Sequence, residues 1–121
     1  MTSSSSRETW PWPDSLDAVA AAPAHHVVLL ENSEVRVLDT RILPGETVPL
    51  HTHRGPSVLH IMRWSDFVRR DNRGEITLDS REAGLKPQKA MWSPALPSHT
   101  LENVGGSDIR IVSVELKRAT V

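Results

Sequence analysis

A chain of 121 residues and 13.4 kDa, 38% hydrophobic and 24% charged, is sized for one soluble domain with a single core. Its formal net charge of −1 and pI near 6.6, with like charges gathered only in pairs such as Arg69-Arg70 and Lys117-Arg118, leave no basic footprint for nucleic acid; the expected partner is a small molecule. Cysteine is absent, which removes disulfides, thiolate nucleophiles and sulfur-ligated metal sites, so any metal must be held by nitrogen and oxygen.

Residues 1–24 read as an N-terminal tail or arm. This stretch lacks the apolar core and basic start of a signal peptide, and no apolar run reaches the roughly 20 residues of a membrane helix. The expected location is the cytoplasm, with no membrane partner. In "WPWP" each proline holds its predecessor extended, which suits a segment packing through Trp10 and Trp12. "DSLDAVAAA" predicts one or two helical turns, capped by Asp14 or Ser15 and stopped by Pro23.

From residue 25 to 121 the texture is that of one all-β domain: short β-branched and aliphatic runs broken by Gly, Pro, Asn and Asp. Nine runs predict strands in chain order: "HHVVLL", "EVRVLDTRI", "ETVPLHTH", "SVLHIMR", "DFVRR", "EITLDS", "KAMWS", "HTLENV" and "IRIVSVEL". "RDNRGE" predicts a hairpin turn with Asn72 and Gly74 at positive φ, and "NVGGSD" a second turn. In the last run the apolar phase switches from Ile109 and Ile111 to Val112, Val114 and Leu116, which a bulge near Val112 or burial on both faces explains.

The histidines carry the chemistry. His51 and His53 alternate on one strand, so both project from the same face, about 6.6–7 Å apart at Cα. Two neutral imidazoles so placed can converge on a Zn, Fe, Ni or Cu ion, although the same pattern also suits a solvated strand edge. "WSPALPSHTLENVGG" adds His99 after a Pro-rich turn, with Asn103 four residues on and on the same face. Three histidines from two strands can then meet inside a barrel.

"GETVPLHTH" (45–53) is similar to the first cupin motif, and "PALPSHTLEN" (94–103) to the second, in order and spacing. The lead-in "ENSEVRVLDTRILPGE" also looks like that of small single-domain cupins. The resemblance implies a double-stranded β-helix, or jelly-roll barrel, with His51, His53 and His99 as ligands of a divalent transition metal: Fe, Mn, Ni or Zn. It also implies a homodimer, with "WPWP" and "HHVVLL" at the interface. Two departures stand out: Ser57 and Val58 occupy the places where the first motif carries its Glu ligand, and Leu96 stands where the second carries Gly. A three-imidazole site leaves the ion its full +2 charge and an open position, which favours an anionic oxygen ligand. Such sites resemble those of thiol and diketone dioxygenases.

Other residues are weighed against that site. His60 shares its face only if Val58, rather than Ser57, takes the Glu position, and is then a candidate fourth ligand. His25 and His26 face opposite ways and are expected in packing or surface roles. Glu102 has the opposite parity from His99 and falls outside. Arg54 is a candidate clamp for a substrate carboxylate, and Met62, Trp64, Phe67, Met91 and Trp92 are candidate pocket walls. The sequence thus supports an enzyme acting on a small acidic or dicarbonyl-like molecule by oxygenation or isomerisation. It also allows a non-catalytic small-molecule-binding module, or a barrel whose pocket is filled by Val58, Leu59 and Ile61.

Overall fold

Nine strands form two antiparallel sheets in the computed structural model, which describes residues 11–117. In spatial order the five-stranded sheet comprises β1 (His26–Glu31), β2 (Val35–Ile42), β9 (Ile109–Leu116), β4 (Ser57–Arg63) and β7 (Ala90–Ser93). The four-stranded sheet comprises β3 (Thr47–His51), β8 (His99–Asn103), β5 (Phe67–Asp71) and β6 (Ile76–Asp79). Each strand matches one of the nine runs read from the sequence, with β1 and β5 each extending one residue further, to Glu31 and Asp71, because period-two alternation bounded by turn residues marks a half-buried strand.

The inward faces supply both core and cavity. Leu38, Ile42, Val48, Val68 and Ile109 are buried, with Phe67, Leu101 and Ile111 packed against the cluster formed by Ile42, Val48, Ile109 and Ala22. On β9 the inward positions run Ile109, Ile111, Ser113, Glu115, and β9 pairs with β2 over eight consecutive residues without a register shift. The apolar phase switch therefore needs no bulge: the inward face turns polar at Ser113 and Glu115, while Val112, Val114 and Leu116 cover the other side.

One turn differs in mechanism from the sequence expectation, and the other adds a packing constraint. Gly74 takes the left-handed conformation (φ 84°), but Asn72 does not; Asp71 instead caps the turn, its Oδ1 accepting from Arg73 N (2.8 Å) and Glu75 N (3.0 Å). At Gly105 the constraint is close approach, since a Cβ there would collide with Ser65 and lie 2.8 Å from Asp66 N.

The N-terminal arm is stitched into the barrel. A 3₁₀ turn (Asp14–Leu16) leads to a one-turn helix, α1 (Ala18–Ala21), whose N-cap is Asp17 rather than Asp14 or Ser15, its carboxylate accepting from Val19 N (3.4 Å). Thr52 N donates to Leu16 O (2.7 Å) and Ala18 N to Thr52 O (2.9 Å), so the arm adds a short parallel bridge beside the end of β3. Ala18 and Ala22 are buried by this docking. Trp12 is half-buried, and Trp10 lies outside the described residues.

Candidate metal centre

Four imidazoles gather at one end of the barrel. His51 and His99 are register partners across β3 and β8, with ring centroids 4.5 Å apart. His53, just past β3, lies 5.3 Å from His51, and His26, the first residue of β1, lies 5.2 Å from His51 and 5.5 Å from His53. Ring nitrogens of His26, His51 and His53 fall within 4.8 Å of one another. His26 thus joins the cluster, against the packing or surface role expected for it, while His25 turns away to Arg41 O (3.0 Å).

Each ring is oriented the same way. Nδ1 of His51 lies 2.7 Å from Pro49 O and Nδ1 of His99 2.8 Å from Pro97 O, so the repeated Pro-x-His of both motifs is a local device that places an acceptor under each ring. Nδ1 of His26 reaches Ala22 O at the end of α1 (3.0 Å), and Nδ1 of His53 reaches Glu115 Oε2 (3.0 Å). Carbonyl and carboxylate oxygens only accept, so each Nδ1 donates; in a neutral ring Nε2 then keeps its lone pair, the tautomer that metal-ligating histidines use. Burial lowers the pKa of His26 to about 4, of His51 to about 3 and of His99 to about 4; the neighbouring His99 also contributes at His51. These three rings are neutral near pH 7, as ligation requires.

Behind His53 lies a buried charge network. Glu115 is 3% exposed and is bound by Arg36 Nη2 (3.0 Å), whose guanidinium also grips both oxygens of Asp17 (2.8 and 2.9 Å). Burial acts to raise the Asp17 carboxyl pKa, but the hydrogen bond and charge of Arg36 outweigh it and the net shift is downward. A carboxylate thus serves the site from β9, holding a histidine rather than taking the place of the absent Glu. Between the histidines, the side chain of Thr52 points away and donates to Leu96 O (2.7 Å), tying the first motif to the turn before His99.

The other expectations resolve as follows. Ser57, Leu59 and Ile61 face the cavity, so Val58 and His60 face outward, and His60 is exposed and not a ligand candidate. Arg54 pairs with Asp14 outside the cavity. Asn103 is fully committed to structure: Nδ2 donates to Ile42 O (2.9 Å) and Ser107 O (2.8 Å), while Oδ1 accepts from Ser65 Oγ (2.9 Å) and Gly105 N (3.0 Å). Glu102 pairs with Arg70 (2.9 Å) and does not line the cavity. The pocket is not filled by Leu59 and Ile61; they form part of the wall of a cavity of about 470 Å³, with Trp64, Phe67, Met91 and Trp92, while Met62 is exposed.

Sequence reasoning missed His26 and Glu115. For Glu115 the signal was present, a lone acid at the inward parity of an apolar strand. For His26 nothing local distinguished it from His25.

In sequence, no protein-family model and no curated protein matches the chain. In structure it is similar to a cupin domain from Bordetella pertussis Tohama I (TM-score 0.61, 22% identity, 76% of this chain and 91% of that one). It is also similar to a protein with a double-stranded β-helix domain from Klebsiella pneumoniae (TM-score 0.56, 20% identity, 94% and 91%). A predicted oxalate decarboxylase from Thermotoga maritima aligns at TM-score 0.50 and 24% identity over 75% of this chain and 77% of that one. The chain therefore has the fold of a small cupin, a double-stranded β-helix, and His26, His51 and His53 form a group that could hold a metal ion. Among the described residues no helix is long and apolar enough to cross a membrane.

Proposed function

We propose that the protein is a metal-dependent cupin in which His26, His51, His53 and His99 hold a divalent ion (Fe, Mn, Ni or Zn) and a small acidic or dicarbonyl-like molecule binds beside it. The observation that carries this reading is the shared orientation of the four rings, each with Nδ1 engaged by an acceptor and Nε2 left to ligate. An ion held there would supply Lewis acidity or oxygen activation for isomerisation or oxygenation. The protein's own contribution is imidazoles oriented through Nδ1, a carboxylate that holds His53, and a largely apolar cavity beside them. All-imidazole ligation leaves the ion's positive charge uncompensated, which favours an oxygen anion. The neighbour described as a predicted oxalate decarboxylase is in keeping with such a ligand.

Elemental analysis of untagged protein tests the reading. Near-stoichiometric metal that disappears in His51→Ala is the expected result. No metal in either protein, with no thermal shift on adding Fe, Mn, Ni or Zn, would overturn it. One observation favours a non-catalytic binding module as the second reading: among the described residues no carboxylate lines the cavity to act as general base. Ligand binding unchanged in EDTA would select it.

A further inference from the structure

The cavity wall carries charge of one sign. Among the described residues its lining includes Arg63 and Arg69, beside the four clustered histidines, and neither Asp nor Glu. Five other guanidiniums meet acids: Arg36 with Asp17 and Glu115, Arg54 with Asp14, Arg70 with Glu102, Arg81 with Asp79, and Arg110 with Asp39. Arg69 is half-buried, and among the described residues no carboxylate lies within ion-pair distance of it. Its polar side-chain contact is a long one, Nε to Thr77 Oγ1 at 3.4 Å. Burial lowers its pKa with no acid opposing the shift.

Strand register places this charge relative to the histidines. Arg69 pairs with Leu101 on β8, and Leu101 lies two residues beyond His99 on the same inward face. Arg69 and His99 are therefore diagonal neighbours, about 7–8 Å apart at the backbone. Leu101 on one side and Leu78 on the other flank the Arg69 stem with apolar wall.

We infer that Arg69 is the anion anchor of this cavity, and that the ligand is a small organic carboxylate with an apolar body, its carboxylate on the Arg69 guanidinium and its far end toward the histidines. A half-buried cation without an acid is costly, and a carboxylate supplies the planar bidentate partner that guanidinium geometry matches. A cavity of about 470 Å³ suits a molecule of this size. The inference deepens the metal-site reading by naming the ligand class, and relies on that reading only for what the far end meets.

The test is calorimetric titration of the full chain with 4-phenylbutanoate and its uncharged analogue 4-phenylbutanamide, in EDTA and after Zn loading, on wild type, Arg69→Met and Arg69→Lys. Expected is a carboxylate preference of about tenfold or more in both conditions. It should fall to about one in Arg69→Met and recover in part in Arg69→Lys. The melting temperature of Arg69→Met should not fall, because the substitution removes an uncompensated charge. A preference that survives Arg69→Met but vanishes on chelation would put the anion on the metal, overturning the anchor and leaving the metal reading intact. A preference that follows Arg69 in a protein binding no metal would sustain the anchor and overturn the metal reading. No carboxylate preference in wild type, including binding of neither probe, would overturn the anchor.

Discussion

Glu115 shows how a single residue can serve a site without touching a ligand. Its Oε2 receives the Nδ1 proton of His53 (3.0 Å), and its Oε1 accepts from Arg36 Nη2 (3.0 Å). Glu115→Gln retains the shape and an oxygen that can accept from His53 Nδ1, but replaces the carboxylate behind that ring with a neutral, weaker acceptor. Metal affinity should fall about 10–100-fold, the range typical for partners of ligating histidines, with the fold unchanged. Competition with a chromogenic chelator, alongside far-UV circular dichroism, measures both; unaltered affinity would show that Glu115 does not tune the site.

At the scale of elements, β1 joins the site to an exposed surface. His26 is its one buried residue, while Val27, Val28, Leu29 and Leu30 are 40–57% exposed on the edge of the five-stranded sheet. Register extends this apolar surface across the sheet, Leu30 opposite Val37, Val37 opposite Val114, Val114 opposite Val58 and Val58 opposite Trp92. An open edge and an apolar face of this extent favour pairing with a second sheet. We propose a homodimer through this surface, consistent with the sequence expectation for "HHVVLL". Sedimentation at micromolar concentration should give twice the chain mass, and Leu30→Glu with Val58→Glu should give the monomer. A wild-type monomer would rule the dimer out.

For the whole molecule, the same burial that prepares the histidines makes stability depend on pH. His26, His51 and His99 have folded pKa values of about 4, 3 and 4, below the ordinary 6.5. As pH falls below 6.5, the unfolded chain takes up protons that the folded chain refuses. Stability is therefore full above about pH 6.5 and is lost progressively toward pH 4 and below, at up to about 1.4 kcal/mol per pH unit for each histidine. Urea midpoints of the metal-free protein between pH 7.5 and 4.5 should fall accordingly. A flat profile would mean that these rings are solvated in solution and the cluster is not formed as described.

What the sequence determined by itself was local or periodic. Alternation bounded by Gly, Pro and Asn marked all nine strands. The His-x-His spacing put His51 and His53 on one face, because that relation spans two residues of one strand, and the likeness of the second motif added His99. Tertiary structure decided the rest. His26 reaches the cluster because α1 docks beside Thr52 and aims the Ala22 carbonyl, a contact between distant segments. His60 is excluded and Arg54 diverted because pleat parity and an acid on the arm set their directions, neither of which spacing specifies. Asn103 became a turn lock rather than a pocket wall because four partners converge on it from other segments and its own turn. Arg69 acquired its meaning only when the sheets closed, since an unpaired guanidinium is defined by which acids fail to reach it, and that depends on the packing of the whole barrel.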